Sequence, residues 1–223
     1  MRLFFSAGWA IGLLGLSWWA WRRGLNGFHL PRRPWLFLAG IALLARLTPN
    51  FVLQQGAAYD LESYQIVGQL ALDGQPVYEN TQTKNRHPYL PLQLYWSGLA
   101  VWASHQSGLP FAQVARLAPV LADSGISLAL FAALKRKQSA QTAAYAAFLY
   151  AVNPLPVFVC AYHGQFDAIP ALFTLLAFAR LEGSALTSGG WLGLGILEKS
   201  WPVLALPSML QHFKRWNGRL RFL

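Results

Sequence analysis

The sequence predicts an all-α, polytopic helical membrane protein with about seven membrane segments and a large extracytoplasmic first loop that carries interfacial helices. Three observations support this. Of 223 residues, 55% are hydrophobic and only 12% charged, which is too apolar for a soluble surface. Leu3 to Trp21, His87 to Ala115 and Gln138 to Phe166 contain no Asp, Glu, Lys or Arg, and each is long enough to approach the ~20 residues that cross a bilayer. The 18 Lys and Arg outnumber 8 Asp and Glu, giving +10, but they sit in short runs between apolar segments. That pattern carries orientation information rather than a nucleic-acid footprint, so the expected partner is the membrane and no nucleic acid. A soluble enzyme is excluded. The single cysteine, Cys160, leaves no intramolecular disulfide and no cysteine-based metal cluster.

Residues 1–33 read as an N-terminal membrane helix and a cytoplasmic basic loop. Leu3 to Trp21 lacks a signal-peptide exit and ends in Arg22-Arg23, and with Arg32 and Arg33 these form the densest basic loop of the first half. Trp9, Trp18, Trp19, Trp21 and Trp35 sit towards helix ends, as interfacial anchors do. Residues 34–213 form the main membrane module, opened by Pro34 to Leu53 running outward. Residues 54–115 form the extracytoplasmic loop. From Gln54 to Arg86 it mixes Asp60, Glu62, Asp73, Glu79, Lys84 and Arg86, with a break at Gly74-Gln75-Pro76.

His87 to Ala115 is interrupted by Pro88, Pro91, Gly108 and Pro110, and is placed in the outer interface. Only then do Lys135, Arg136 and Lys137, after the helix Arg116 to Leu134, fall inside. Ala140 to Tyr162 runs outward with a kink at Asn153-Pro154 and Pro156, and Ala168 to Leu181 returns. Ser184 to Leu197 and Ser200 to Phe213 are joined on the outer side by Glu198-Lys199, and both are short for a ~30 Å core. Residues 214–223, with Lys214, Arg215, Arg219 and Arg221, form a basic cytoplasmic tail.

Three polar clusters fall on the outer side of this topology: Tyr59-Asp60-Leu61-Glu62, His163-Gly164-Gln165-Phe166-Asp167 and Glu198-Lys199. Carboxylates, an imidazole and an ammonium at one depth suit a site where a hydroxyl-bearing acceptor meets a lipid-borne anion, a carboxylate acting as base and cations holding phosphate. Arg46 and Asp123 interrupt apolar helices, so they face the bundle or a wet cavity, as an ion pair or as substrate ligands. Gly8-x-x-x-Gly12 and Gly189-x-x-x-Gly193 read as internal packing sites.

The Asp60 segment, Arg86-His87-Pro88-Tyr89-Leu90-Pro91-Leu92, Leu121-Ala122-Asp123, Asn153-Pro154 before His163-Gly164-Gln165-Phe166-Asp167, and Leu197-Glu198-Lys199-Ser200-Trp201-Pro202 before Pro207 occur in an order and spacing that resembles the GT-C superfamily of polytopic glycosyltransferases. The likeness covers about Pro34 to Phe213 and is nearest to the bacterial mannosyltransferase-like branch and the dolichyl-phosphate-glucose glucosyltransferases. It implies an integral-membrane enzyme, in the inner membrane if bacterial. Such an enzyme takes a hexose, mannose or glucose, from a polyprenyl-phosphate sugar to a lipid or glycan acceptor on the extracytoplasmic face, with inversion.

By the same resemblance, Asp60 is the catalytic base, Arg86, Tyr89, His163, Gln165 and Asp167 bind substrate, and Lys199 meets the donor phosphate. No cofactor beyond the lipid-linked donor is expected. The N-terminal helix lies outside the pattern. The chain ends about one helix short of the shared core, so it reads as a truncated gene, a fragment, or a split enzyme with a partner chain supplying the missing helices. The alternative is a non-catalytic lipid-phosphate-binding or transporter-like protein, or a remnant of such an enzyme. Read without the resemblance, Asp60 is a solvated loop carboxylate and Lys199 a snorkelling cation. His163 and Asp167, four apart on one helix face, are a capping cluster in preference to a metal pair that lacks a third ligand.

Overall fold

The computed structural model describes residues 2–53, 56–214 and 216–223, with side chains from residue 4 onward. Gln54, where the predicted loop begins, and Arg215 of the basic tail lie outside the described residues. Among the described residues every regular element is a helix. Helices α1 (Arg2–Arg23), α2 (Pro34–Val52), α3 (Ala58–Leu72), α4 (Pro91–Ser107), α5 (Phe111–Ala115), α6 (Leu117–Leu134) and α7 (Ala140–Ala151) are followed by α8 (Pro154–Phe158), which widens into a π turn over Val159–His163. Helices α9 (Ala168–Arg180), α10 (Ala185–Glu198), α11 (Leu206–His212) and α12 (Trp216–Phe222) complete it, with a 3₁₀ stretch over Trp201–Ala205.

The local signals are legible. Prolines open α2, α4 and α8, where a missing N–H costs nothing. Ser139, Asn153 and Ser184 cap α7, α8 and α10 by accepting from Thr142, Leu155 and Thr187 amides. Gly108, at φ 71°, closes α4 in the left-handed region.

The predicted seven membrane segments are corrected by the helix lengths. Among the described residues, two helices are long and apolar enough to cross a bilayer, Pro34–Val52 and Phe111–Leu134. A third crossing arises only if α7 and Pro154–His163, bent by 43° at the Asn153-Pro154 break, make one span. Helices α9 and α10 have 13 and 14 residues, about 20 Å at 1.5 Å per residue, well short of a ~30 Å core. Apolar composition continued where helix did not: the stretch expected as one segment from Ser200 to Phe213 is a 3₁₀ turn followed by the seven residues of α11. Phe111 to Ala115, expected within the outer loop, belongs to the second span. These spans support an integral-membrane protein.

The chain forms two compact units. The first comprises residues 1–57 and 116–168. Its core packs Leu38 and Ala45 of α2, Val120 and Phe131 of α6, and Ala143, Ala144 and Ala147 of α7, whose small side chains let helices approach closely. Trp9 Nε1 donates to the Ala45 carbonyl at 3.1 Å and Ser17 to that of Val152 at 3.0 Å, tying α1 to the bundle. Gly8 and Gly12, expected in internal packing, meet nothing: a Cβ on either would have no neighbour within 4 Å.

At one end of this unit Gln141 Nε2 donates to the carbonyls of Leu25 and Phe28, so the start of α7, just past Lys135-Arg136-Lys137, lies against the loop that holds Arg22 to Arg33. At the other end the Ala57 amide donates to the His163 carbonyl at 3.0 Å.

The second unit comprises residues 58–115 and 169–223. Helices α3 and α4 pack with unusual intimacy: a Cβ on Gly68 would lie 2.6 Å from the Ser97 carbonyl carbon and 2.7 Å from Val101 Cγ2. The Gly189 side of α10 receives the backbone of Phe222 in α12 just as tightly, as expected for that motif, whereas Gly193 touches nothing.

Candidate functional site

In the middle of the first unit the two charges that interrupt apolar helices find each other. Arg46 Nε donates to Asp123 Oδ2 at 2.6 Å, and both side chains are buried. Arg46 Nη1 donates to the carbonyls of Ala42 and Ala151, Tyr150 donates its hydroxyl to Asp123 Oδ1, and the Cys160 thiol lies 3.7 Å from Oδ2. The carboxylate is thus occupied by protein donors on both oxygens, which is the structural ion-pair arrangement for these two residues.

The His163 motif lies at one end of the same unit and differs from its expected form. His163 closes the π turn, Gly164 sits at φ 91°, and helix resumes only at Ala168. A left-handed residue turns the chain, so His163 and Asp167 do not share a helix face. The loop is held from beneath by Arg116, fully buried, whose Nη1 donates to the carbonyls of Leu53 at 2.9 Å, Ala161 at 3.0 Å and Tyr162 at 3.3 Å. Sequence reasoning passed over Arg116. The signal was available, because an arginine closing the uncharged run His87 to Ala115 must solvate its guanidinium with something. His163, Gln165 and Asp167 are half-buried, and the side-chain Nδ1 of His163 is buried with no protein partner.

In the second unit the structure gathers four of the expected residues on α3, the 86–89 segment and the end of α10. Asp60 stands half-buried in the first turn of α3. Around that turn, Arg86 lies over the Tyr59 ring at 4.7 Å, 3.5 Å from Glu62 and 3.4 Å from the Ser63 hydroxyl. Tyr89 packs against Tyr64 at 6.2 Å and His87 at 5.7 Å, accepts at its carbonyl from the Tyr78 hydroxyl, and carries the Lys199 ammonium 5.6 Å from its ring centre. The cations here rest on aromatic faces, and Arg86 is in addition held by Glu62 and Ser63.

Buried polar groups lie beside them. His87 Nδ1 and Nε2, Gln93 Oε1, Ser97 Oγ and Glu198 Oε1 are buried without a protein partner. Burial holds the His87 imidazole below its usual pKa and pushes the Glu198 carboxyl up to about 7. Glu198, expected with Lys199 as one of the outer polar clusters, is 1% exposed at the end of α10. Among the described residues no three His, Cys, Asp or Glu side chains converge as metal ligands.

The model of glycosyltransferase family 87 matches residues 91–222, more than half of the chain. The chain belongs to glycosyltransferase family 87. As a family 87 member it falls in the GT-C clan. The matched stretch holds His163, Gln165, Asp167, Glu198 and Lys199, whereas Asp60, Arg86 and Tyr89 precede it. No curated protein and no solved structure matches the chain.

Proposed function

We propose that this family 87 protein binds the phosphate of a polyprenyl-phosphate-linked sugar at the extracytoplasmic side of a membrane, with Lys199 and Arg86 as the charged contacts. The observation that carries the reading is the pair of cations seated on Tyr89 and Tyr59 beside the Asp60 turn. A charge resting on a ring is partly desolvated and positioned, which strengthens its attraction for an anion that comes into reach. Tyrosine faces next to them suit the apolar side of a sugar ring. The outward orientation follows the chain: Arg32 and Arg33 precede α2 on the side that the positive-inside tendency assigns to the cytoplasm, and the Pro34–Val52 span leads from there to α3.

Two activities are compatible with such binding. One holds the lipid phosphate without turnover. It is favoured by the modest number of spans and by a family match that starts beyond Asp60. The other transfers the hexose, mannose or glucose, to a lipid or glycan acceptor: Asp60 takes the proton of the acceptor hydroxyl as its oxygen attacks the anomeric carbon, and the lipid phosphate leaves with inversion. His163, Gln165 and Asp167 would then bind the substrate from their own loop.

The binding step is tested by donor affinity of wild type and Lys199→Met. Loss of one charge-assisted contact weakens binding by roughly 1.5 to 3 kcal/mol, and equal affinities sink the proposal. Transfer is tested with Asp60→Asn, which removes a general base worth ~100- to 10,000-fold in rate while leaving donor affinity in place. Measured donor binding with no transfer by wild type, in the presence of any partner chain, establishes the first activity. Transfer that survives Asp60→Asn undiminished removes Asp60 as the base.

A further inference from the structure

The second unit carries a cavity of about 1000 Å³ that the proposed donor site does not use, lined by Glu182 and Ser184 ahead of α10 and by His212, Lys214, Asn217 and Arg221 around α12. Lys214 and Arg221 are exposed cations, set against the exposed carboxylate of Glu182. On the outside of α12, Trp216, Leu220 and Leu223 are 70%, 65% and 73% exposed, at a spacing that puts them on one helix face. The helix is nevertheless anchored. Phe222 is buried over Gly189, where a Cβ would lie 2.7 Å from its carbonyl carbon, and Arg219 Nε donates to the Phe213 carbonyl at 2.9 Å. The tryptophan, leucines and flanking cations of α12 are what a helix in the headgroup layer displays.

We propose that this cavity binds the phosphate of an anionic phospholipid drawn from the surrounding bilayer, with Lys214 and Arg221 at the phosphate and the acyl chains running beside Trp216, Leu220 and Leu223. Charge complementarity selects an anionic headgroup, and the apolar face selects a lipid over a free phosphate. The proposal rests on membrane location alone and stands whether or not the donor site is as described above.

The test is native mass spectrometry of the full chain released from nanodiscs containing equal phosphatidylglycerol and phosphatidylcholine, with and without excess soluble glycerol phosphate. Wild type should retain phosphatidylglycerol preferentially. Each cation contributes about 5-fold, so Lys214→Gln/Arg221→Gln should reduce that preference by tens of fold, with unchanged helicity because both side chains are exposed. Asn217→Glu, which adds a negative charge to the same wall, should reduce it without removing either cation. No headgroup preference in wild type, or the same preference in all three proteins, overturns the assignment. Competition by glycerol phosphate as effective as that by the lipid also overturns it, since the site would then be one for a free phosphate.

Discussion

Arg46 and Lys199 are both cations in apolar surroundings, and the two units treat them in opposite ways. In the first unit, Arg46 gives Nε to Asp123 and Nη1 to two carbonyls, Tyr150 occupies the remaining carboxylate oxygen, and Arg46 Nη2 stays buried without a protein partner. In the second, Lys199 and Arg86 lie on tyrosine rings, and Glu198, Gln93 and Ser97 keep buried oxygens without a protein partner. A buried charge that the protein satisfies is scaffold, because its partners leave little for a ligand. Polar atoms held in place and left unsatisfied cost stability, and a fold retains them where something else supplies the bond.

The sharpest way to break that contrast is to cut the paired charge. Arg46→Met leaves Asp123 buried without its cation and should cost about 3 to 5 kcal/mol, read as a large fall in the detergent melting temperature. Arg46→Met/Asp123→Leu removes both charges and should recover most of the loss. If the single variant melts like wild type, the pair is not scaffold and the division between the units fails.

Glu198 tests the other side. Its folded pKa of about 7 lies above the ordinary 4.5, so the folded state holds a proton that the unfolded state has released between those values. Stability is therefore greatest below about pH 4.5 and falls as pH rises through about 7, by up to about 3 kcal/mol. Chemical denaturation at pH 5 and pH 8 should show this slope in wild type and its removal in Glu198→Gln. A slope that persists in Glu198→Gln belongs to another group.

Part of this was legible from composition and spacing. Arg46 and Asp123 announced inward-facing charges, as an ion pair or as substrate ligands, because charges on apolar helices have nowhere else to go, and Asn153-Pro154 marked the bend. The count of spans was not legible, since Ala168 to Leu181 and Ser184 to Leu197 are apolar enough for a membrane but their helices stop at 13 and 14 residues. Helix α3 was missed behind the mixed charges of its segment, although buried Leu61, Tyr64, Val67 and Gly68 carry a helical spacing. The approach of Lys199 to Tyr89 joins residues far apart in the chain, and no local pattern encodes it. The His163 and Asp167 pairing failed on one residue, because periodicity assumes helix and Gly164 turns out of it.

The smallest expected effect concerns the close helix contact in the second unit. Gly68 lets α3 rest on the Ser97 carbonyl, and the two nearest atoms a Cβ would strike there are backbone, which cannot rotate aside. Gly68→Ala must therefore push α3 from α4, at a cost of about 1 to 3 kcal/mol. Because α3 carries Asp60, Tyr59 and Ser63 while Arg86 and Tyr89 lie just before α4, donor affinity should fall along with stability. Gly193→Ala is the matched control: its Cβ meets nothing within 4 Å, so alanine should leave stability unchanged or raise it by up to ~1 kcal/mol through helix propensity. Melting temperature and donor binding measured on both variants separate the cases. Equal melting of the two would mean that the close backbone contact does not hold the unit. A destabilised Gly68→Ala with wild-type donor affinity would detach the α3–α4 contact from the Asp60, Arg86 and Tyr89 cluster.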